Sequence, residues 1–310
     1  MSDATPPRAP PHGILPLDKP AGCTSHDVVA WARRALGTRA VGHAGTLDPM
    51  ATGLLLVLVG EATKLSSHLT GQSKSYAATV RFGAETDTLD ADGTVTQRSP
   101  PDATPPDESA VRAALASMVG PLDQIPPAVS AIKVDGEAMH ARVRRGEVVA
   151  LAPRPVVLHA ATVTAVRPEP PEADVEMTVS KGFYVRALAR DLAASLGTFG
   201  HLTALRRTRS GGLDVADALS GETLRAAARG DAAARDAVRE ALRPLAWAAT
   251  LMEPVTVSDE DAAALRVGKR LARDGDEATV LVLDPAGVPV CVGSRRDGVL
   301  SVVRGLLPTG

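Results

Sequence analysis

Aromatic side chains are scarce in this sequence of 310 residues, which contains only three phenylalanines, two tyrosines and two tryptophans. A protein that stacks many successive bases of a nucleic acid needs a row of such rings, so this composition excludes a stacking platform. The core must instead be built from aliphatic side chains. Each aromatic ring is therefore informative about a specific site.

Cysteine and long apolar runs are also lacking. Cys23 and Cys291 are the only cysteines and form no CxxC pair, which excludes a disulfide framework. The longest aliphatic run, residues 54–59, is far shorter than the about 20 residues of a membrane-spanning helix. The N-terminal segment MSDATPPRAPPHG has no apolar signal region. We therefore expect a cytoplasmic protein without membrane association.

Several cofactor and catalytic motifs are missing from the sequence. There is no GxxxxGK[ST] phosphate loop, no GxGxxG after a strand and no GxSxG nucleophile elbow. The seven histidines never pair at a spacing of three or four residues. Since metal-binding helices commonly use that spacing, the sequence predicts no metal cluster.

The net charge of −2 hides strong local differences. Residues 181–210 carry six basic and one acidic side chain, and residues 133–154 carry five basic and three acidic ones. Residues 84–108 carry one basic and seven acidic side chains. A basic stretch is either an ordinary solvated face or the footprint of RNA or DNA. The charge pattern alone leaves both open.

The order of predicted elements favours an α+β fold, because strands and helices mix without a regular βαβ repeat. Residues 75–82 alternate as a half-buried strand, residues 54–59 read as a buried strand, and residues 25–36, 61–69 and 185–196 read as helices. Residues 1–11 are Pro-rich and are predicted to be a disordered tail. A catalytic domain is expected over 12–250, with an exposed insertion at 121–154. A small β-rich domain is expected over 251–310.

The densest chemical signal is the segment GHAGTLDPMATG at residues 42–53. Its three glycines permit unusual backbone conformations and close approach of a ligand. Pro49 favours an extended Asp48, so a carboxylate is held on a rigid loop before a buried strand. Such a carboxylate can be a nucleophile, a base or a cation ligand. The alternative is an Asx turn that only shapes the loop.

This segment and five others resemble the TruB-type tRNA pseudouridine synthases of bacteria. The others are LDKPAGCTSHD (17–27), KSYAATVRFGAETDTLDADG (74–93), IPPAVSAIKVDG (125–136), SKGFYVRALARDL (180–192) and HLTALRRTRSG (201–211). The resemblance implies isomerisation of uridine to pseudouridine at position 55 of the tRNA T-loop. It also implies a mixed, mainly antiparallel sheet flanked by helices, followed by a small PUA-like β-rich domain.

The resemblance assigns the chemistry to Asp48 as the nucleophile. Whether its adduct forms at the sugar C1′ or at the base C6 stays open. Arg186 would pair with Asp48 and keep it ionised, since a desolvated carboxylate otherwise drifts toward neutrality. Asp90 would support Arg186 from the other side. A surface salt bridge is the alternative for Arg186, and a solvated acidic loop is the alternative for Asp90.

The resemblance assigns substrate contacts to four further residues. Tyr76 would stack on the target base and Tyr184 would contact it, while Leu205 would form an apolar wall of the pocket. His43 would position the substrate, and Lys19 would order the loop around Asp48. The alternatives are a core tyrosine for Tyr76, a core leucine for Leu205 and a structural histidine for His43.

The implied partner is tRNA, gripped at its T-arm by the 121–154 insertion and the basic patch at 181–210. No metal or organic cofactor is implied, because the rearrangement is redox-neutral. No protein partner is expected, and we expect a monomer. The 251–310 domain either touches the acceptor stem or is mainly structural. The competing hypotheses are a non-catalytic protein that binds or folds tRNA and a pseudouridine synthase that acts on another RNA.

Overall fold

A computed structural model describes residues 11–128 and 151–307, and the backbone of two short strands between them. Residues 1–10 and most of the 121–154 insertion lie outside the described residues. The chain divides into two compact units. The first comprises Met1–Pro49, Gly53–Gly71 and Gly211–Gly310, and the second comprises Met50–Thr52 and Gln72–Ser210.

The described strands and helices follow the chain in a mixed order. The strands before residue 250 are β1 (Gly13–Lys19), β2 (Val41–Ala44), β3 (Thr52–Val59), β4 (Lys74–Phe82), β5 (Ala84–Thr86), β6 (Val95–Arg98), β7 (Gly120–Gln124), β8 (Lys133–Val134), β9 (Glu137–Ala138), β10 (Arg154–Pro168), β11 (Pro171–Val179), β12 (Gly200–Ser210), β13 (Leu213–Asp214) and β14 (Leu219–Ser220). The later strands are β15 (Glu253–Thr256), β16 (Leu271–Ala272), β17 (Ala278–Leu283), β18 (Pro289–Arg296) and β19 (Val299–Gly305). The helices are α1 (Ser25–Leu36), α2 (Ser66–Thr70), α3 (Glu108–Ser117), α4 (Val185–Ser195), α5 (Gly221–Arg229), α6 (Ala232–Ala241) and α7 (Asp259–Arg266). The 3-10 turns are Gly60–Leu65, Val215–Asp217 and Leu245–Thr250.

The second unit is built on an antiparallel sheet with the strand order β12-β4-β11-β10-β7. Alternate residues of β4 are buried, beginning with Lys74 and Tyr76, as the polar–apolar alternation predicts. Helix α4 packs on β12 and buries Leu188 and Leu192. The sheet and this helix place Tyr76 and Arg186 within one unit.

The first unit contains β1, which pairs antiparallel with β3 and parallel with β14, while β2 pairs with β3. Thr24 caps α1 through a reciprocal pair of hydrogen bonds with Asp27, as a Ser/Thr-x-x-acid pattern favours. The aliphatic run of β3 is buried on both faces, and on one of them Leu54, Leu56 and Leu58 join an apolar cluster that includes residues of the C-terminal part of the chain. The loop that carries Asp48 lies between β2 and β3.

The C-terminal residues form a five-stranded sheet with the order β15-β17-β18-β19-β16 and a core of its own. The end of this segment returns to the turn after β3. Leu306 joins the apolar cluster that contains Leu54, Leu56 and Leu58. The Leu307 N–H donates to Glu61 Oε2 at 2.7 Å. The expected C-terminal β-rich fold is confirmed, and its last described residues pack against β3 and the turn that follows β3.

Two local expectations were wrong. Residues 61–69, predicted as one helix, form a 3-10 turn over Gly60–Leu65 and then the short helix α2. Residues 41–44 were expected to be part of the loop that carries Asp48, but they form β2. The strand forms because β3 supplies its backbone hydrogen-bond partners, which the local sequence with its glycine does not indicate. None of the described helices has the length and hydrophobicity to span a bilayer.

Candidate active site

A buried serine holds the residue before Asp48. Ser25, 1% exposed, accepts a hydrogen bond from the Leu47 N–H at 3.0 Å and donates one to the Leu47 carbonyl at 3.2 Å. Leu47 is itself buried, so water does not compete for these groups. Gly45 has a φ of +82°, which a residue with a Cβ rarely adopts. Asp48, half-buried, thus follows a fixed peptide.

The residue after Asp48 is held from the other side. The Pro49 carbonyl accepts the Gly22 N–H at 2.9 Å and the Lys19 ammonium at 3.3 Å. Lys19 is fully buried and also donates to the carbonyls of Pro20 at 2.9 Å and Cys23 at 2.7 Å. Both neighbours of Asp48 are therefore anchored to the segment 19–25. Lys19 thus contacts the Asp48 loop directly at the Pro49 carbonyl.

Lys19 also interacts electrostatically with the Asp48 carboxylate. Burial lowers the pKa of the Lys19 ammonium, and the charges of Cys23, Asp48 and Asp27 oppose that change. Lys19 is thus a buried cation with a carboxylate in its electrostatic reach. Such a cation favours the ionised form of a nearby carboxyl group.

His43 lies on β2, shortly before the Asp48 loop. Its ring meets the His26 ring edge to face, with the ring centroids 5.8 Å apart and the planes at 87°. The His43 carbonyl accepts the Ser66 hydroxyl at 3.1 Å. The imidazole of His43 is therefore placed by strand pairing and by a second histidine on α1.

Arg186 and Asp90 form a buried ion pair within the second unit. The Arg186 Nη1 lies 3.6 Å from Asp90 Oδ2, and both side chains are 6% exposed. Arg186 Nη1 also donates to the Thr88 carbonyl at 2.7 Å. Asp90 in turn accepts the Thr88 hydroxyl at 2.6 Å and the Asp92 N–H at 3.1 Å. The guanidinium is therefore held by an acidic turn that is itself hydrogen-bonded.

The start of α4, which carries Arg186, is fixed by Gln124 of β7. The Tyr184 N–H donates to Gln124 Oε1 at 3.0 Å, and Gln124 Nε2 donates to the Tyr184 carbonyl at 3.2 Å. Tyr184 is the N-cap residue of α4 and makes no side-chain cap bond. Gln124 is 1% exposed, so a buried amide holds this cap.

Tyr76 and Leu205 lie on neighbouring strands of the same sheet. Tyr76 on β4 is opposite Arg207 of β12, and Leu205 of β12 is opposite Ala78. Tyr76 is 8% exposed and Leu205 is 7% exposed. A groove of about 540 Å³ includes Leu205 in its lining, together with Thr52 and Arg206. Leu205 therefore borders an open space as well as the core.

The predicted site residues fall into two sets. The first unit holds Lys19, His43 and Asp48, and the second unit holds Tyr76, Asp90, Tyr184, Arg186 and Leu205. Within the described residues, no group of three or more His, Cys, Asp or Glu side chains is arranged to hold a metal ion.

Sequence reasoning missed two residues that fix the site. Ser25 was not among the predicted site residues; Thr24 caps α1, which leaves the Ser25 hydroxyl for the loop. The adjacent Thr24 and Ser25 gave a weak signal that one hydroxyl caps the helix and the other binds the loop. Gln124 was not identified at all, because its partner Tyr184 is 60 residues away in the sequence.

Comparison with known families agrees with these motifs. A model of the TruB family pseudouridylate synthase N-terminal domain matches residues 33–185. A model of the tRNA pseudouridylate synthase B C-terminal domain matches residues 186–249. The curated tRNA pseudouridine synthase B of Cutibacterium acnes is 50% identical over 263 residues, which cover 84% of this chain and 85% of the relative. That of Leifsonia xyli subsp. xyli is 45% identical over 296 residues, covering 94% and 92%.

Solved structures share the architecture. A chain of the archaeal box H/ACA sRNP Nop10-Cbf5 complex matches with a TM-score of 0.71 and 22% identity, covering 96% of this chain and 86% of that chain. A chain of an H/ACA RNP bound to a substrate RNA containing 2′-deoxyuridine matches with a TM-score of 0.70 and 21% identity, covering 96% and 86%. At this identity the likeness concerns the fold, and it confirms the expected fold class. The family models and the curated relatives show that this chain belongs to the TruB family of pseudouridylate synthases.

Proposed function

We propose that this protein isomerises uridine to pseudouridine at position 55 in the T-loop of tRNA. The observation that carries the proposal is the rigid loop around Asp48, anchored on both sides by Ser25 and Lys19, in a chain of the TruB family. A half-buried carboxylate on such a loop meets the requirement for a positioned nucleophile. The names of the curated relatives support tRNA as the substrate.

The reaction is balanced without an external reagent. The N1–C1′ bond breaks, the base turns, and a C5–C1′ bond forms. C5 loses its proton and N1 gains one, so the product is an isomer and no oxidant or reductant is consumed. Asp48 attacks either the sugar C1′ or the base C6, and both routes need an ionised carboxylate. The same carboxylate is released at the end of either route.

The two buried cations support that ionised state in different ways. Lys19 lies in the electrostatic reach of Asp48 within the first unit. Arg186, which Asp90 and Thr88 hold within the second unit, is the proposed partner of the carboxylate during the reaction. Preorganised charges of this kind stabilise developing charge without rearranging at the moment of reaction.

We assign recognition of the uridine to four side chains. Tyr76 stacks on the base and its hydroxyl helps to remove the C5 proton, while Tyr184 contacts the base edge. Leu205 supplies an apolar wall, and His43 positions the loop nucleotide. The side chains of Tyr76 and Leu205 are 8% and 7% exposed, which supports an apolar environment for a single base. A single flipped base needs a slot of this kind and no extended platform.

The tRNA must release the target base from its folded loop. Flipping a nucleotide costs a few kcal/mol of unstacking, which contacts to the T-arm offset. We assign these contacts to the basic residues of 181–210 and to the 121–154 insertion. The catalytic domain is proposed to span 12–250 and the PUA-like domain 251–310. The acting unit is proposed to be a single chain in the cytoplasm.

The test uses unmodified tRNA that carries tritium at uracil C5. The wild-type protein is expected to release tritium and to leave pseudouridine at the mapped T-loop position. Asp48→Asn, which keeps the shape but removes the nucleophile, is expected to lose release by at least about 10³-fold while tRNA binding persists. Asp102→Asn changes an exposed loop residue and is the matched control. Normal turnover by Asp48→Asn contradicts the nucleophile assignment, and release from another RNA instead of tRNA contradicts the substrate.

A further inference from the structure

Gln124 makes two hydrogen bonds with the backbone of one residue. Its Oε1 accepts the Tyr184 N–H at 3.0 Å and its Nε2 donates to the Tyr184 carbonyl at 3.2 Å. A primary amide carries an acceptor and a donor side by side, so it can bridge the two peptide groups that flank Tyr184. The side chain is 1% exposed, so water does not replace these bonds. The contact therefore needs both an acceptor and a donor at position 124.

The residue that Gln124 holds begins α4. Tyr184 is the N-cap residue, and its carbonyl also accepts the Leu188 N–H at 3.1 Å to begin the helix. Tyr184 makes no side-chain cap bond, and helices tend to fray at such an end. The fixed backbone of the cap residue thus sets where the first turn of α4 begins.

Two proposed substrate residues depend on that first turn. Tyr184 is the held residue, and Arg186 lies two positions further along. Arg186 reaches the Thr88 carbonyl at 2.7 Å and Asp90 Oδ2 at 3.6 Å. A shift of the cap by a fraction of an ångström moves the guanidinium relative to both partners. The geometry of the cationic partner is therefore set partly from β7.

A second contact joins the same two elements. Arg190, one turn after Arg186, donates through Nη2 to the Ile125 carbonyl at 3.0 Å. Residues 124 and 125 thus contact α4 at two successive levels. Gln124 and Ile125 therefore bind α4 at its cap and at its second turn, and the two contacts together restrain the orientation of the helix.

We infer that Gln124 is a positioning residue of the pseudouridylation reaction, which acts through the Tyr184 backbone to place Tyr184 and Arg186. This inference rests on the proposed function. Gln124 does not touch the substrate and takes part in no bond change. Its effect is expected in the rate of the chemical step, since a misplacement near 1 Å costs about 10²-fold in rate. tRNA affinity, which depends on many phosphate contacts, is expected to change little.

The first experiment compares Gln124→Met with wild type in single-turnover tritium release and in tRNA filter binding. We expect the rate to fall by about 30-fold while Kd changes by less than about threefold. Gln97→Met, at an exposed position on β6, is the matched control and is expected to keep the wild-type rate. A wild-type rate in folded Gln124→Met, or a loss confined to Kd, overturns the inference.

The second variant, Gln124→Glu, supplies a readout that a merely structural role does not give. A protonated carboxyl has one O–H donor and one acceptor and restores both bonds, whereas the carboxylate only accepts. Burial raises the pKa of such a carboxyl group. The ratio of the Gln124→Glu rate to the wild-type rate is therefore expected to rise as the pH falls. A ratio that does not vary with pH overturns the inference.

Amide hydrogen exchange separates this inference from the proposed function. The Tyr184 amide is expected to exchange at least about tenfold faster in Gln124→Met than in wild type, whether or not the protein turns over tRNA. An unchanged Tyr184 exchange rate contradicts the positioning role. A wild-type protein that releases no tritium contradicts the proposed function, and the exchange result still decides the role of Gln124.

Discussion

The Ser25 hydroxyl is predicted to be as important for the rate as for stability. Ser25→Ala removes both hydrogen bonds to Leu47, at 3.0 and 3.2 Å, and leaves a buried N–H and a buried carbonyl without their partner. An unsatisfied buried group costs about 1–3 kcal/mol. Because the loop relaxes partly, we expect the free energy of unfolding to fall by about 2 kcal/mol. The relaxation is also expected to move Asp48.

The rate consequence follows from that movement. A nucleophile displaced by a large fraction of an ångström loses about 10²-fold in rate, so we expect Ser25→Ala to slow single-turnover tritium release by about 30- to 100-fold. The Kd for tRNA, measured by filter binding, is expected to stay within about threefold, and urea unfolding reports the stability loss. Ser117→Ala, at an exposed helical position, is the matched control. A Ser25→Ala protein that loses stability but keeps the wild-type rate would refute the coupling between the clamp and Asp48.

Two further predictions concern stability. Leu306 is 4% exposed, and Leu306→Ala is expected to lower the free energy of unfolding by about 3 kcal/mol. Leu307 is 65% exposed, and Leu307→Ala is expected to change the free energy of unfolding by less than about 0.5 kcal/mol. Equal effects of the two variants in urea unfolding contradict the packing of Leu306 in the apolar cluster. Burial and the Arg207 charge lower the pKa of Lys74 from 10.5 to about 8. Between these two pH values the unfolded chain binds more protons at Lys74 than the folded chain does. The contribution of Lys74 to the free energy of unfolding therefore rises with pH over this range, by at most about 3 kcal/mol. Lys74→Met is expected to lack this rise, and parallel stability–pH curves for the two proteins contradict the assignment.

The regular elements could be predicted where side-chain periodicity decides burial. Residues 75–82 alternate in the sequence and alternate in burial on β4. The periodicity of 61–69 indicated one helix, but the chain makes a 3-10 turn there, where Gly60 begins with a φ of +60° and Glu61 and Lys64 bind the C-terminal residues. β2 could not be predicted, because its four residues include a glycine and form a strand only through pairing with β3. Tertiary partners decide such segments, and local propensity does not contain them.

The site divides in the same way. Local sequence marked Asp48, with its neighbouring Gly and Pro residues, as a candidate, and its proposed role came from the family resemblance. The ion pair of Arg186 with Asp90 was suggested by family resemblance and is present within the second unit. The supports of these residues could not be predicted, because Ser25 and Leu47 are 22 positions apart and Gln124 and Tyr184 are 60 positions apart. No periodic pattern in the sequence marks these residues, so their contacts become apparent only in the folded structure.

The position of Leu306 has a consequence for biosynthesis. The apolar cluster beneath β3 joins Leu54, Leu56 and Leu58 to side chains from the C-terminal sheet and from Leu306. During translation β3 is therefore made long before the residues that complete its packing. Helices and strands of the N-terminal half can form earlier, since domains begin to fold as they emerge. The strand that follows the Asp48 loop, however, completes its packing only after the residues up to Leu306 have emerged, so a chain that stops before them would hold the Asp48 loop on an incompletely packed support.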